Sequence, residues 1–261
     1  MEPTVRAIER VADVLQCFSY EQPELTVADI ARRLRLPAST VHRLLASLVA
    51  VELIERPGRG RYRLGLRLHE IGQTAVFGNV LRERGHVHLE TLRSRTGHTA
   101  QLAVLSGTDV VYIDRLVDSR VFGRFGRSGA RVPAYASSTG KALLAFGASE
   151  DVLRSIAAKG FVRRAPRTIT SMRRLRDELA ATRERGYAES VEETWPDMAS
   201  VAAPILGVNG VAVAAMSVAG PAGEFDRSAR SRAATLLRRV AAQLVSELSI
   251  ERPDRSNRPG R

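Results

Sequence analysis

Cysteine is nearly absent from this 261-residue chain, with Cys17 the only one. No disulfide framework can form, and a reducing compartment fits best. Cys17 falls in a helical apolar stripe, which favours a core thiol over a reactive one. Lysine is almost as scarce: of 40 cationic residues only Lys141 and Lys159 are lysines, and the others are arginines. No leader is expected either, since the start, MEPTVRAIERVADVLQCF, carries acids inside its apolar pattern and shows no small-residue cleavage site. Long apolar helices are lacking too. Residues 198–223 carry no charge, but Pro204 and the pair Asn209-Gly210 divide them into two short Val- and Ala-rich runs. That pattern reads as two buried strands meeting at a hairpin, and no membrane span is expected.

What is present is a soluble globular composition, 44% apolar and 26% charged, in a chain long enough for two domains with cores of their own. The net charge is +12, and it is unevenly spread. Between residues 31 and 67 nine arginines face only Glu52 and Glu55, a local net of +7. Such a stretch inside a folded segment points to a polyanionic partner, with a solvated arginine-rich face as the plainer alternative.

The pattern around those arginines is that of short helices. Thr4 is a candidate N-cap, and Ile8, Val11, Leu15 and Phe18 recur on one helix face, predicting a first helix to about Tyr20. Thr26 and Asp29 form a capping-box pair at the head of a second helix ending near Arg35. Pro37 then suits the first position of a third helix whose buried stripe is Val41, Leu44, Leu45, Leu48 and Val49. Its other face opens with Ser39, Thr40, His42 and Arg43. Two short helices joined by a tight turn, the second exposing hydroxyl, imidazole and guanidinium at its start, is the layout that enters a DNA major groove. Directly after it, LIERPGRGRYRLG reads as strand, Gly-containing loop and strand, a wing carrying Arg59, Arg61 and Arg63. Ser39 suits a cap of its own helix as well as a phosphate contact, and His42 suits plain solvent exposure. Arg43, one turn in, can reach a phosphate or a guanine edge.

These residues resemble the IclR family of bacterial transcriptional regulators. The likeness runs through LTVADIARRLRLPASTVHRLLASLVAVELIER and GRYRLGLRLHEIG, and returns in VPAYASSTGKALLAF, LRDELAATRERGYAESVEE and SVAAPILGVNGVAVAAMSVAGP. The resemblance implies an α+β protein: an N-terminal winged helix-turn-helix (1–65), a linker helix (66–80) and a GAF-like effector-binding domain with an antiparallel sheet (81–250); the last residues, 251–261, read on their own composition as a disordered tail. The residues themselves support a helical linker over 66–80, a hairpin turning at 107–109, a helix opening in STGKALLAF, a buried strand at GVAVAAMSV and a last helix over 225–248. The resemblance further implies an effector site at Thr139, Gly140, Ser190, Ser200, Ser217 and Ala219. Free N–H groups of Thr139, Gly140 and Lys141, where that helix starts, would favour a carboxylate. The sequence departs from the family's common pattern in EETWPDMAS, where Asp197 stands for Gly and Ser200 for Cys; Ser190 replaces a frequent acid and Ala219 a frequent Ser. With Tyr135, Trp195 and Met198 as candidate lining, a more apolar, aromatic or longer acid is expected, although all three suit core or rim positions equally.

Other chemistries fit poorly. STGK lacks two residues of a phosphate-binding loop, with Tyr135 and Ala142 in the wrong places. Ser138 and Lys141 match S-x-x-K, but no K-T-G or S-D-N accompanies them. His86 and His88, two apart on a helix, point about 200° from each other and cannot share a metal ion with His98 or alone. The expectation is therefore a cytoplasmic regulator with no enzymatic activity, no cofactor and no metal. Its partners would be a palindromic DNA operator, a small organic acid and further copies of itself, as dimer or tetramer. The alternative is a sensor module whose winged helix contacts protein.

Overall fold

A computed structural model describes residues 5–19, 22–73, 76–118, 131–207 and 209–250, the side chains of 73–79 and 249–250 aside. The chain divides into two compact units, Met1–Asn79 and Val80–Arg261. The architecture is α+β, with helices and antiparallel sheets in both units.

The first unit contains α1 (Arg6–Gln16), β1 (Leu25–Thr26), α2 (Val27–Leu34), α3 (Ala38–Ala50), β2 (Ile54–Gly58), β3 (Arg61–Leu64) and α4 (Leu66–Gln73). The capping box forms as the sequence predicts: Asp29 N–H donates to Thr26 Oγ1 at 3.2 Å, and Thr26 N–H donates to Asp29 Oδ2 at 3.0 Å. Arg35 closes α2 in the left-handed region. Val41, Leu45 and Leu48 of α3 pack with Val14, Phe18, Ile30, Ile54 and Tyr62 into one core, and Leu44 and Val49 lie at its edge. The wing loop takes positive φ at Gly58, Arg59 and Gly60, which two glycines make easy. Several details differ from expectation. Helix α1 stops at Gln16 rather than near Tyr20, and Ile8 is 62% exposed, its place in the core being taken by Val14. Pro37 is the N-cap of α3 rather than its first residue. A two-residue strand, β1, adds to the wing by pairing with β3. The linker is helical through Gln73 and again from Val76, with residues 74–75 outside the described residues. The N-cap of α1 is Val5 and not Thr4, and the tail over 251–261 lies outside the described residues.

The second unit contains α5 (Val76–Thr96), β4 (Thr99–Ser106), β5 (Asp109–Leu116), β6 (Arg131–Pro133), a 3-10 turn (Ala134–Ala136), α6 (Ser138–Gly147), α7 (Glu150–Lys159), α8 (Met172–Arg185), β7 (Ala188–Val191), β8 (Met198–Leu206), β9 (Ala212–Pro221) and α9 (Arg227–Ile250). Six strands form one antiparallel sheet in the order β6-β5-β4-β9-β8-β7. The charge-free stretch is indeed a strand pair, β8 and β9, with Gly210 at positive φ in its connection. Among the described residues no helix is long and apolar enough to cross a membrane.

Strand alternation sends successive side chains to opposite cores. Ala202 and Ala215 join Leu143, Leu144, Leu175 and Leu179 on the α6–α8 face, while Val201, Ala214, Met216 and Val218 join Leu89, Leu92, Leu237 and Leu244 on the α5–α9 face. The last helix starts at Arg227, two residues later than expected, and Phe225 packs into the core ahead of it. Cys17 is buried, and burial pushes its thiol up, as suits a core thiol.

Candidate functional site

In the first unit α3 exposes Ser39, His42 and Arg43 and leaves Thr40 half-buried. Pro37 caps α3 without a side-chain bond, so the Ser39 hydroxyl has no capping duty. On the wing Arg59 and Arg61 are exposed, whereas Arg63 Nε donates to Glu55 Oε2 at 2.9 Å. That bond, together with the Leu66 N–H on the other oxygen, holds the Glu55 carboxyl below the usual range. Arg56 lies 5.8 Å over the Tyr62 ring. The wing is thus braced by Arg63 and Arg56 while Arg59 and Arg61 extend from it.

In the second unit Ser190, Ser200, Ser217, Ala219 and Met198 come together around one cavity, with Trp195 beside them. The register of the sheet explains this, since Ser190 pairs with Ser200, Ser200 with Ala219, and Ser217 with Gln101. Gln101, Tyr112, Ser137, Ser138, Thr194 and Ala199 complete the wall. The cavity volume is about 20 Å³, room for a single water. Ser138 Oγ lies 2.7 Å from Ser200 Oγ and ties the first turn of α6 to β8. The Ser190 hydroxyl donates to Ala136 O at 3.2 Å. Tyr112 OH lies 3.3 Å from Thr139 Oγ1; its phenol is pushed up by burial, and the Arg115 guanidinium stacks 4.5 Å over its ring. Gln101 and Ser217, each 2% exposed, hold no side-chain hydrogen bond among the described residues. Both line the cavity, where a water or a ligand can meet their polar side chains.

Three expected site residues lie elsewhere. Gly140 is a packing residue: a Cβ there would meet Ala134 O at 2.2 Å, so its smallness admits the 3-10 turn and not a ligand. Helix α6 begins at Ser138, the Gly140 N–H donates to Ser137 Oγ at 3.0 Å, and the Lys141 N–H donates to Ser137 O at 2.9 Å. The amides of Gly140 and Lys141 are therefore occupied, and the amides left for an anion are those of Ser138 and Thr139. Thr139 turns its hydroxyl to Tyr112 behind the wall. Tyr135 packs edge-on against Phe161 at 4.8 Å and bonds both backbone groups of Val162.

The loop between β7 and β8 covers the cavity. Trp195 packs on Met198 and Ala219 there, with the Arg164 guanidinium 4.9 Å over its ring. Glu192 and Asp197 hold positive φ at the two ends of this loop, so Asp197 occupies a conformation that glycine adopts most freely. At the loop base Lys141, 1% exposed, donates to Glu193 Oε1 at 2.7 Å and lies 3.4 Å from Glu178. Burial raises the Glu193 carboxyl above its usual range, against the pull of Lys141, and its Oε2 has no hydrogen-bond partner among the described residues. With Lys141 Nζ on carboxylates and Ser138 Oγ on Ser200, the S-x-x-K pair is not assembled for acyl transfer. His86 Nδ1 lies 2.7 Å from Asp114 and His88 Nε2 lies 3.0 Å from Glu247, and no cluster of three metal-ligating side chains occurs among the described residues.

Sequence reasoning missed Gln101 and Tyr112. A polar residue at an inward position of TAQLAVLS was the available signal for Gln101; Tyr112 reads as ordinary core.

Two family models match the chain: "IclR helix-turn-helix domain" over residues 7–58 and "Bacterial transcriptional regulator IclR C-terminal" over residues 73–246. The chain is 32% identical over 217 residues to the HTH-type transcriptional regulator XynR of Escherichia coli K12, covering 83% of this chain and 86% of that one. It is 31% identical over 257 residues to the glycerol operon regulatory protein of Streptomyces griseus, covering 97% and 100%. Among solved structures, an IclR homolog of Microbacterium hydrocarbonoxydans complexed with 4-hydroxybenzoate superimposes with a TM-score of 0.83 at 31% identity, covering 94% of this chain and all of that one.

Proposed function

The chain belongs to the IclR family of bacterial transcriptional regulators, and we propose that its operator affinity is set by a small aromatic carboxylic acid held in the cavity at the start of α6. The family is one of DNA-binding regulators and not of enzymes, with a helix-turn-helix domain and a C-terminal effector domain. The observation that carries the finer reading is the pair Gln101 and Ser217, buried at the cavity without a bond partner among the described residues. Ser138, which lines the cavity where α6 starts, suits a carboxylate, and Trp195 and Met198 suit an apolar ring. The Microbacterium relative, complexed with 4-hydroxybenzoate, supports an acid of this class.

A cavity of about 20 Å³ does not admit a benzoate until the loop bearing Trp195 moves. Binding is therefore coupled to a change of shape, and by linkage the acid alters DNA affinity only through its preference between two arrangements. In this reading residues 1–65 bind DNA through Ser39, Thr40, His42, Arg43, Arg59 and Arg61, 66–80 connect, and 81–250 sense. The regulator acts in the cytoplasm as a homodimer or homotetramer on a palindromic site.

Calorimetric titration with aromatic carboxylic acids, 4-hydroxybenzoate first, tests the effector. We expect saturable binding that Gln101→Leu and Ser217→Ala each weaken tenfold or more, and release of bound duplex by the same acid. Failure of every acid to bind, or binding indifferent to both substitutions, would sink the assignment.

A further inference from the structure

Helices α1 and α3 enclose an open cleft of about 310 Å³ lined by Arg6, Ala7, Arg10, Thr40, Arg43, Leu44 and Ser47. We propose that this cleft seats a DNA backbone phosphate, so that Arg6 and Arg10 of α1 form a second line of DNA contacts beside the recognition helix. The inference rests on the regulator reading above and adds to it a site outside both the α3 tip and the wing.

The argument begins with spacing. Arg6 and Arg10 stand four apart on α1 and so share one helix face, about 6 Å apart along its axis. Thr40, Arg43, Leu44 and Ser47 follow the i, i+3, i+4, i+7 rule and form the α3 wall of the same cleft. Ala7 and Leu44 supply an apolar floor on which arginine stems can lie with their heads in water.

Charge is the second observation. Among the described residues none of Arg6, Arg10 and Arg43 makes an ion pair or a side-chain hydrogen bond. Elsewhere in this unit Arg32 meets Asp29 at 2.6 Å, Arg63 meets Glu55 at 2.8 Å and Arg67 meets Glu52 at 3.6 Å. Three guanidiniums gathered at one cleft without an acid repel one another, and an anion between them turns that repulsion into attraction. Arg43 joins the two surfaces, because it is exposed beside Ser39 and His42 on the face opposite the core and also lines the cleft. A duplex lying against the tip of α3 therefore brings its phosphates to the mouth of the cleft, where planar guanidiniums bind them bidentately. Such contacts fix the register of α3 and carry no sequence information.

The test is the salt dependence of duplex binding by the full chain, read by fluorescence anisotropy between about 50 and 200 mM salt on a random-sequence duplex. The double variant Arg6→Gln/Arg10→Gln should lower the slope of log K against log[salt] by about 0.9 for each phosphate that is no longer neutralised, and Arg6→Lys/Arg10→Lys should retain it. Affinity for the random duplex and for any selected specific duplex should fall by the same factor. An unchanged slope and affinity in the Gln variant, while Arg43→Ala and Arg59→Ala still weaken binding, overturns the cleft and leaves the regulator reading standing. Inorganic phosphate that binds the wild type but not the Gln variant, with the duplex slope unchanged, also overturns it by assigning the cleft to a free anion. If no duplex binds at all, the reading and the cleft fall together.

Discussion

Selected cations of the two units play opposite parts. In the first, Arg6, Arg10, Arg43, Arg59 and Arg61 sit at the surface or its edge without a carboxylate partner among the described residues. In the second, Lys141 is 1% exposed and held by Glu193 and Glu178, while Arg185 meets the same Glu178 at 2.5 Å. An exposed, unpaired cation adds nothing to its own fold and remains available to a polyanion. A buried, paired cation is invisible to any partner, but its loss strands the charges around it. Positive charge therefore serves recognition at the exposed arginines of the first unit and internal geometry at Lys141 of the second. The cavity wall follows suit, offering hydroxyls and an amide but no charged side chain.

Substitutions can break this contrast. Lys141→Met should be the most damaging, destabilising the second unit by about 3–5 kcal/mol in urea unfolding because Glu193 and Glu178 lose their counter-charge. The loss should shrink with acid. Glu193 is already raised in the fold, and without Lys141 it rises further, so the penalty is present above its unfolded value and is relieved as pH falls through the folded one. A variant equally unstable at low and neutral pH would mean that Lys141 acts by packing alone.

Arg43→Ala should do the reverse. Stability stays within about 0.5 kcal/mol of wild type, while affinity for the preferred duplex falls by about 1–3 kcal/mol with relaxed preference at one base pair. Arg59→Ala should weaken specific and random duplexes alike and lower the salt slope by about 0.9. A loss confined to the specific duplex would move Arg59 from backbone to base contact. Smaller still is Thr26→Ala, expected to cost the first unit about 1 kcal/mol through the lost cap on α2. Smallest is Asp197→Gly, which should raise stability by about 0.5 kcal/mol by relieving a left-handed aspartate at φ 57. A loss instead would show that the Asp197 side chain holds the loop.

Much of the first unit was legible because its signals are local. Thr26 and Asp29 lie three residues apart, and Gly58 and Gly60 frame a two-strand loop, so each feature is complete within a few residues. Strand β1 was not legible, since two residues carry no period and their pairing with β3 spans some thirty-five positions. Ile8 keeps the helical period of Val11 and Leu15, and period alone does not tell where a core ends. The cavity divides in the same way. Ser190, Ser200, Ser217 and Ala219 came from family resemblance, whereas Gln101 and Tyr112 reach the wall only through the register of β4 and β5. Gly140 was assigned to a ligand because its nearest neighbour, Ala134 O, is set by a turn whose close approach no spacing rule foretells.

The central claim is that the start of α3, with Arg43, reads DNA sequence and that binding does not rest on charge alone. Selection of bound duplexes from a randomised library, followed by titration of the winner against its scrambled counterpart at one salt concentration, tests it most directly. The account predicts a palindromic winner preferred by about a thousandfold or more. A library that emerges unenriched, with every duplex bound at about 10⁻⁴ to 10⁻⁶ M, would contradict it and point to the winged helix as a surface for protein.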